Sequence, residues 1–477
     1  MKHIICKCLV LCYTCCIFLF IPTSCQSKDA DIYEDVIGSQ SMPGTSSSSL
    51  VGGYDSSKSS DTKELQGQLT VKSYWDTGIG DCAVDFMELY PNVIIDVIQP
   101  SNDSLETFDD YHNQIVVELM SGKAPDVIDL TGFAVHKYAK SGLLCNLYDF
   151  MDSDADFNKD DYYTNIFKAK EYNGGLYSMP CGFSYDMVYA SKPLLQKANI
   201  SCPTQLNYKM MFDIYDRVVS KSDTTPKLLP GLDQYTFFYY EFPDYYDIQT
   251  QKAWFNSKRF VEYLESTQYT IPINTENDLT RVVETDDFMK NDYLFCKLDI
   301  SRGANIYNFL VDFKNITDPV PMLSVNGKAC FTTMRDYAIP ESCKNKELAW
   351  EFVKYYISEK DVPDVTNKEA AHHYITVYNN FVPINIANYY KSFRFECEYY
   401  SSYMGISNWK PGDRETIIEQ ALDRINSWNM QRNSEEAEAE IYGAICEDLD
   451  NFYVQRITTA KETASIIQNK MTAFLVE

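Results

Sequence analysis

Short apolar segments alternate with helical segments along most of the chain, and the clearest example is the strand predicted at Val127–Leu130. It follows a Pro, leaves through the turn residues Thr131–Phe133, and precedes a helical pattern that ends at Gly142. A brief apolar run bounded by turn residues is typical of a buried parallel strand, because it is too short for a helix. Ligands of open α/β sheets bind outside the carboxyl ends of such strands. The pattern therefore makes Asp129 and Phe133 candidate ligand contacts, although an ordinary strand–loop–helix unit has the same pattern.

The same alternation opens the folded part of the chain. A strand is predicted at Leu69–Tyr74, a helix at Asp81–Leu89 and a second strand at Val93–Ile98. Trp75 and Asp76 follow the first strand directly, so they also lie at a carboxyl end. Trp75 would offer a flat ring for stacking, and Asp76 would offer a hydrogen-bond acceptor. The alternative is that the Trp ring packs beneath the loop.

Helical spacing dominates the last part of the chain. Residues Asn345–Ser358 place their apolar side chains three and four positions apart and begin with a suitable N-cap residue. Further helices are predicted at Pro411–Trp428 and Glu435–Phe452, and Thr459 with Glu462 forms the capping box of a closing helix. Strands that alternate with helices in this way predict an α/β fold built on a parallel sheet.

Composition and charge narrow the classes of function. A length of 477 residues suits two or three domains or one large body with two lobes, and 45% hydrophobic residues can fill sizeable cores. The net charge of −26 argues against a nucleic-acid partner and against adsorption to anionic lipid, because both attract basic proteins. The chain also has 37 Tyr residues, whose rings suit both core packing and ligand recognition.

Neither the cysteines nor the histidines predict a metal site or a cofactor. Six of the 15 cysteines fall within the first 25 residues, and the others are scattered without a CxxC motif. We expect most of these to be buried thiols, while a bridge such as Cys330 to Cys343 is left open. The chain has five His, of which His372 and His373 are adjacent and so point in different directions. The acidic loop Met151–Asp161 lacks the residue order of an EF-hand, and we expect a solvated loop there.

Residues 1–24 have the pattern of an export signal. Their apolar run, Leu9–Ile21, is too short to span a membrane alone, and it ends shortly before Cys25. Small residues before a Cys resemble a bacterial lipobox, although Pro22 stands where Leu is usual, and we predict that Cys25 is lipidated. A cleaved secretory signal and an uncleaved anchor without lipid are the alternatives. Residues 25–67 are rich in Ser, Gly and Asp and predict a disordered tether with a reach of about 35 Å.

Several segments match a known family in the expected order. They are APDVIDL and YAKSGLLCNL within Gly122–Leu147, EYNGGLYSMP at the start of Glu171–Leu195, NKELAWEFVKYYIS at Asn345–Ser358, and TAKETASIIQNKMTAFLVE at the carboxyl end. Together with the opening strand–helix–strand unit, they resemble the extracellular solute-binding proteins of ABC importers, the family that includes maltose-binding protein. The resemblance covers residues 68–477. It departs from the family pattern at Gln455–Arg456, because a Gly usually precedes the closing helix.

This resemblance implies a fold of the type II periplasmic-binding-protein class, in which two α/β lobes are joined by three crossover segments and enclose a ligand cleft. The implied amino-terminal lobe combines residues 68–182 with residues 320–380. The implied carboxyl-terminal lobe combines residues 183–319 with residues 381–477. In the family, the ligand binds between the lobes, and the importer recognises their closure.

The resemblance also implies ligand contacts beside the cleft. Four candidates lie on or next to the first crossing strand: Tyr177, Phe183, Ser184 and Tyr185. A later strand and the turn after it carry Asp299 and Arg302, and the guanidinium could donate a pair of hydrogen bonds to neighbouring hydroxyls. The alternatives are that the aromatic rings only pack the strand and that Arg302 forms a surface ion pair.

These expectations combine into one function and two alternatives. We expect a monomeric, lipid-anchored receptor on the outer face of the cytoplasmic membrane, which captures a small solute and delivers it to an ABC permease. A sugar or oligosaccharide fits best, because aromatic rings stack on sugars and carboxylates accept hydrogen bonds from their hydroxyls. The alternatives are a surface glycoside hydrolase with a carboxylate pair and a glycan-binding sensor without a permease. Gly182–Asp186 lacks the last Gly of a nucleophile elbow, which argues against catalysis.

Overall fold

A computed structural model gives the fold of most of the chain beyond residue 63. The described residues are 64–476, except 75–77, 101–106, 202, 223–224, 231, 269–292, 302–315, 318, 380, 405–424 and 433–438. The chain divides into two units, and all described residues belong to the second, Ser56–Glu477. The predictions for the export signal, for most of the tether, and for Cys25, Trp75, Asp76 and Arg302 lie outside the described residues.

A mixed sheet of nine strands is the central element of the described chain, and a two-stranded sheet accompanies it. The strands in chain order are β1 (Gly67–Lys72), β2 (Val93–Ile98), β3 (Val127–Asp129), β4 (Met179–Ala190), β5 (Tyr246–Asp247), β6 (Lys252–Ala253), β7 (Phe295–Ile300), β8 (Val320–Pro321), β9 (Lys328–Ala338), β10 (Val382–Pro383) and β11 (Asn429–Arg432). The main path of the large sheet is β10-β4-β9-β3-β1-β2. Strand β11 pairs with β9, and β7 and β8 pair with β4.

Strands β1, β2 and β3 run parallel, as their apolar patterns predict. Val71 of β1 is paired with Val97 of β2 on one side and with Val127 of β3 on the other. Val71 and Val127 are fully buried, which explains why apolar residues fill these short strands. The strand predicted at Val127–Leu130 is thus confirmed, and it ends one residue earlier, at Asp129.

The longest strands, β4 and β9, lie antiparallel to each other in the middle of the sheet. The first half of β4 also pairs with β10, whereas its second half pairs with β7 and β8. In the same way, β9 pairs with β11 near its start and with β3 near its end. Each of the two strands therefore has different neighbours along its two halves. Strand β4, which contains the boundary between residues 182 and 183, has the pairing expected of a crossover segment.

Helices surround these strands in the described chain. They are α1 (Ile79–Leu89), α2 (Phe108–Met120), α3 (Val135–Lys140), α4 (Leu147–Ser153), α5 (Thr164–Lys170), α6 (Lys192–Lys197), α7 (Tyr208–Val219), α8 (Phe238–Glu241), α9 (Lys258–Gln268), α10 (Lys346–Ile357), α11 (Lys368–Val377), α12 (Ile386–Met404), α13 (Ala439–Tyr453) and α14 (Ala460–Val476). Short 3-10 helices occur at Lys159–Asp161 and Phe242–Tyr245. Across the described ranges, none of the helices combines the length and the apolar character that crossing a membrane would require.

Helix α10 confirms the helix predicted at Asn345–Ser358. Leu348 and Phe352 are buried, as the spacing of apolar residues predicts. Asn345 occupies the N-cap position, but its side chain makes no capping hydrogen bond. Its amide lies against Gly67 instead, where an added Cβ would come within 2.7 Å of the amide nitrogen.

The carboxyl-terminal helices follow their predicted signals where the structure describes them. The Thr459 backbone N–H donates to Glu462 Oε2 at 2.8 Å, and the Glu462 backbone N–H donates to Thr459 Oγ1 at 3.3 Å, so the capping box is confirmed. The helix predicted at Glu435–Phe452 corresponds to α13. Most of the helix predicted at Pro411–Trp428 lies outside the described residues, and β11 follows it directly.

Two large hydrophobic clusters lie among the described residues. The first contains side chains of β1, α1, α10 and α12, and the second contains side chains of α7, α9, α13 and α14. Alternate positions of β4 enter different clusters, since Tyr189 belongs to the first and Val188 to the second. Two cores on opposite faces of a crossing strand agree with the implied fold class, while the boundaries of the two lobes stay a prediction.

The bridge left open between Cys330 and Cys343 does not form, because both thiols are free. Cys330 lies near the start of β9 in the second cluster, and Cys343 follows the end of β9 in the first. An extended strand rises about 3.3 Å per residue, so the length of β9 keeps the two thiols far apart. Both are buried and act as small apolar side chains.

Candidate functional site

The carboxylate of Asp129 lies at the carboxyl end of β3 and joins the ends of two parallel strands. Its Oδ2 accepts a hydrogen bond from Ser73 Oγ at 2.9 Å, just after β1. Its Oδ1 accepts from the backbone N–H of Thr131 at 3.0 Å and from the Thr131 hydroxyl at 2.6 Å. The side chain is 1% exposed, and burial raises its pKa although these donors act in the opposite direction. Asp129 is therefore a buried residue whose hydrogen bonds hold together the segments that follow β1 and β3.

Phe133 belongs to an aromatic cluster beside the same strand end. Its ring stacks on that of His112 with 4.5 Å between centroids. It also makes edge-on contacts with Phe108 at 5.9 Å and with Tyr111 at 6.0 Å. Because the side chain is 2% exposed, Phe133 supports the loop by packing in this conformation.

Alternate side chains of β4 lie on opposite faces of the sheet. Phe183 and Tyr185 are buried in the first hydrophobic cluster. The Tyr185 hydroxyl is 3.0 Å from that of Tyr389, and its ring packs edge-on against Trp428 at 5.5 Å. Two of the predicted aromatic contacts thus pack the back of the crossing strand, and Ser184 lies on the opposite face.

A polar recess lies on the Ser184 face, where β4, β7, β9 and α8 meet. We define it by six side chains: Ser184, Asp186, Tyr239, Lys297, Asp299 and Thr332. Strand pairing brings them together, since Asp186 is directly opposite Asp299 and Ser184 is directly opposite Thr332. Residues that are far apart in the sequence therefore form one polar surface at the carboxyl end of β7.

Direct contacts order the side chains of the polar recess. Lys297 Nζ is 3.3 Å from Asp186 Oδ1, and the Tyr240 hydroxyl donates to Asp186 Oδ2 at 2.6 Å. The Tyr239 hydroxyl is 3.0 Å from Thr332 Oγ1. Asp186 Oδ1 is buried and accepts no hydrogen bond from the residues that the structure describes. The recess thus offers carboxylate, ammonium and hydroxyl groups to a polar ligand.

Asp299 is the more accessible carboxylate of the recess. It is exposed, yet protein atoms lie densely around it, and this burial raises the pKa of its carboxyl to about 6. The negative charge of Asp186 also raises the pKa, whereas Lys297 and the hydroxyls of Ser301 and Ser184 lower it. Two predicted contacts, Ser184 and Asp299, are therefore neighbours in the structure.

A buried ion pair lies near the end of β3. Lys170 Nζ is 2.9 Å from Asp336 Oδ2, and the two side chains are 3% and 2% exposed. The Thr333 hydroxyl donates to the same carboxylate oxygen at 2.5 Å, and the Asp336 backbone N–H donates to Thr131 Oγ1 at 3.0 Å. These contacts join α5, the loop after β3 and the end of β9, so they hold these three segments together.

His136 is a candidate that the sequence did not reveal. It is half-buried on α3, after Phe133, and its Nδ1 has no hydrogen-bond partner within the described ranges. Burial lowers its pKa to about 3, and the positive charges of Arg432 and Lys137 act in the same direction, so the imidazole is neutral at physiological pH. Its ring lies 6.1 Å from that of Tyr172. No motif marks this residue, because β11 supplies part of its surroundings from far along the chain.

The remaining predicted contact, Tyr177, is half-buried before β4 and packs with the aromatic cluster near β3. Its ring lies over Gly175, where an added Cβ would come within 2.7 Å of the ring.

A shallow groove of ≈ 610 Å³ lies elsewhere, beside α7. It is lined by residues that the sequence did not single out: Asn199, Ile200, Ser201, Lys209, Met210, Asp213, Ile214 and Arg217.

The acidic loop Met151–Asp161 contributes to packing. Asp154 accepts hydrogen bonds from Trp350 Nε1 at 2.8 Å and from Lys354 Nζ at 2.7 Å, which anchors the loop to α10. These donors lower the pKa of the Asp154 carboxyl, although burial opposes them. Within the part of the chain that the structure describes, no group of three or more His, Cys, Asp or Glu side chains is placed to hold a metal ion.

The mixed sheet centred on β4 and β9, with helices around it, is an α/β fold of the type II periplasmic-binding-protein class. The family model described as bacterial extracellular solute-binding protein matches residues 66–363. Because this match covers more than half of the sequence, the protein belongs to that family. The resemblance found in the sequence is thereby confirmed.

Solved structures share the fold at low sequence identity. An extracellular solute-binding protein family 1 from Alicyclobacillus acidocaldarius is 16% identical with a TM-score of 0.56, over 87% of this chain and 100% of that one. The sugar-binding protein MalE from Xanthomonas citri is 12% identical with a TM-score of 0.59, over 86% and 98%. A periplasmic oligogalacturonide binding protein from Yersinia enterocolitica is 12% identical with a TM-score of 0.59, over 86% and 99%. No curated protein matches the chain.

Proposed function

We propose that the protein is an exported receptor that captures a sugar or an oligosaccharide and delivers it unchanged to an ABC permease. We further propose that a lipid on Cys25 holds the monomeric receptor at the outer face of the cytoplasmic membrane. Membership of the solute-binding family supports the capture of an extracellular solute. The polar recess is the single observation that carries the choice of a hydroxyl-rich ligand.

The side chains of the recess suit the recognition of hydroxyl groups. Asp299 and Lys297 are exposed, and Thr332 and Tyr239 are half-buried. One ligand could therefore contact a carboxylate acceptor, an ammonium donor and neutral hydroxyls. A site built from such groups favours ligands that pair all of them, because an unpaired polar group in a closed site is costly. Two of the similar structures are named for sugar and oligogalacturonide binding, which supports the same ligand class.

Closure of two lobes around the ligand would follow from ordinary population shift. A ligand that touches both lobes only in the closed form binds that form more tightly and so increases its population. The loop before β4 already contacts the β5–β6 turn, since the Asn173 backbone N–H donates to Gln249 Oε1 at 2.8 Å. Gln249 Nε2 in turn donates to the Glu171 carbonyl at 2.9 Å. Segments assigned to different lobes thus meet in this conformation.

Isothermal titration calorimetry with mono- and oligosaccharides tests this function. We expect saturable binding, and Ser184→Ala or Asp299→Asn should weaken it about tenfold, which corresponds to about 1.4 kcal/mol. Asp216→Asn, at an exposed position on α7, is the matched control and should bind normally. Melting of each variant without ligand checks its folding. Absence of binding by every sugar would contradict the assignment.

The opposed carboxylates also suit a surface glycoside hydrolase. Directly opposite side chains in an antiparallel pair have Cβ atoms about 5 Å apart, and retaining glycosidases use two carboxyl groups at about that separation. However, Asp186 is 7% exposed, and its Oδ2 accepts a hydrogen bond from the Tyr240 hydroxyl. Its carboxylate is therefore poorly placed to attack a sugar. Release of products from an oligosaccharide by the pure protein would favour the hydrolase over the receptor.

A further inference from the structure

Carboxylates outnumber ammonium groups in the polar recess. Asp186 and Asp299 are directly opposite each other on β4 and β7, and Lys297 is the cation that defines the recess with them. Asp186 is held by the Tyr240 hydroxyl and is 7% exposed, so it has little room to turn away from its neighbour. The recess therefore fixes two like charges side by side.

One oxygen of the two carboxylates, Asp186 Oδ1, could still accept a hydrogen bond. Asp186 Oδ1 is buried and lacks a hydrogen-bond donor within the described residues, and its ion-pair partner Lys297 is 37% exposed. A buried carboxylate oxygen without a donor is unfavourable, and a charged N–H donor stabilises it more strongly than a hydroxyl does. The ammonium of Lys297 is near enough to screen the pair but leaves this oxygen without a hydrogen bond.

The adjacent carboxylates favour a positively charged group on the ligand. Burial raises the pKa of the Asp299 carboxyl, and the charge of Asp186 raises it further, which is the effect expected of two acidic groups that lie side by side. A ligand cation beside them would relieve this repulsion, whereas a ligand carboxylate would add to it. The net charge of −26 acts in the same direction at longer range.

We propose that the solute captured by this receptor carries a basic nitrogen, as an amino sugar or an amino-sugar oligosaccharide does, and that Asp299 holds this nitrogen next to the negative charge of Asp186. The inference rests on the proposed function, since it specifies the ligand of the same recess. It also implies that uronic acids, which carry a carboxylate, are rejected.

Matched sugar sets test this inference by calorimetry at pH 7. Each set contains an amino sugar, its N-acetylated form and the corresponding uronic acid, as monomers and as oligomers, in gluco and galacto configurations. With the full chain, we expect the amino form to bind at least tenfold more tightly than the N-acetylated form in at least one set. We expect no measurable binding of the uronic acids.

Variants assign the preference to the recess. Asp299→Asn should reduce the preference for the amino form to less than twofold, and Asp299→Glu should restore most of it because the charge returns. Asp216→Asn removes the same charge from an exposed position on α7 and should keep the full preference. Thermal melting without ligand shows whether each variant folds. If Asp299→Asn does not fold, the preference of Asp299→Glu is compared with that of the unmodified protein.

The outcomes separate this inference from the proposed function. Tighter binding of the neutral or acidic member in every set that binds would overturn the inference and leave the sugar receptor intact. An amino-sugar preference that survives in Asp299→Asn would overturn the assignment of the nitrogen to this carboxylate pair. Absence of binding by every member of every set would overturn both proposals.

Discussion

The ammonium of Lys137 on α3 lies 4.3 Å from the centre of the Phe474 ring on α14. The two residues belong to segments assigned to different lobes, so this cation–π contact joins the two sides of the proposed cleft. Such a contact contributes about 0.5–1 kcal/mol at an accessible site. It is therefore strong enough to favour a closed form and weak enough to break when the lobes open.

Lys137→Met should weaken sugar binding about two- to fivefold, because it removes the charge and keeps the apolar stem of the side chain. Lys140→Met on the same helix is the control, since Lys140 is exposed and lies outside this contact. Calorimetry with the sugar that binds best measures both variants. Equal affinities for the two variants would show that the contact with Phe474 does not favour closure.

Arg335 combines an unusual backbone conformation with buried hydrogen bonds in strand β9. Its φ of 62° lies in the left-handed region, which costs a non-glycine residue about 1–2 kcal/mol. The guanidinium donates to the carbonyls of Val377 at 2.7 Å and Thr376 at 3.4 Å at the end of α11. These bonds to α11 offset the backbone strain.

Replacement of Arg335 by Ala and by Gly should separate the strain from the hydrogen bonds. Arg335→Ala keeps the strain and loses the bonds, and we expect the free energy of unfolding to fall by about 2–4 kcal/mol. Arg335→Gly relieves the strain and should be about 1 kcal/mol more stable than the Ala variant. Urea unfolding measures both, and equal losses would show that the backbone of β9 is not strained here.

Glu241 should make the protein less stable as the pH rises toward neutrality. Its carboxyl is 1% exposed, and burial, aided by the charge of Asp244, raises its pKa from 4.5 to about 7. The backbone N–H of Val325 and the guanidinium of Arg259 oppose this shift. The folded protein therefore keeps a proton that the unfolded chain releases between about pH 4.5 and pH 7. The contribution of this group is full below that range and is lost as the pH rises through it.

Glu241→Gln should remove most of this pH dependence, because the amide does not titrate. A shift of this size corresponds to about 3 kcal/mol between pH 4.5 and pH 7.5, and Asp299 adds a smaller term of the same sign. Urea unfolding at several pH values measures the slope. Glu262→Gln, at a half-exposed position on α9, is the control and should leave the slope unchanged. An unaltered slope in Glu241→Gln would contradict the assignment.

The buried ion pair near β3 should be destabilising when only one partner is replaced. Asp336→Asn removes the carboxylate that faces the Lys170 ammonium, and we expect a loss of about 3–5 kcal/mol. Replacing Lys170 by Met and Asp336 by Leu together should cost less than Asp336→Asn alone, because no charge then remains buried. Thermal melting of the three proteins measures the order. A double variant less stable than Asp336→Asn would contradict it.

The local elements of the fold could be predicted because their signals lie close together in the sequence. The apolar run of β3, the helical spacing of α10 and the capping box of α14 each span a few residues. The crossing strand β4 was expected from family resemblance rather than from periodicity. These elements are also where the structure agrees most closely with the sequence.

The candidate site could be predicted only in part, because it depends on strand pairing. Ser184 and Asp299 were expected beside a cleft, but Lys297 and Thr332 enter the recess through the register of β7 and β9 against β4. Register is a property of distant segments, and a shift by one residue moves every side chain to the other face. The position of Asp129 at a strand end is predicted correctly, yet its hydrogen-bond donors, Ser73 and Thr131, come from two separate loops.

The most direct test of the receptor function is calorimetric titration of the full chain with the sugar sets, followed by chromatography of the recovered sugar. We expect saturable one-to-one binding that Asp299→Asn weakens about tenfold, with the sugar recovered unchanged. Absence of heat with every sugar, or recovery of cleaved sugar, would contradict the proposal that the receptor binds a sugar and leaves it chemically unchanged.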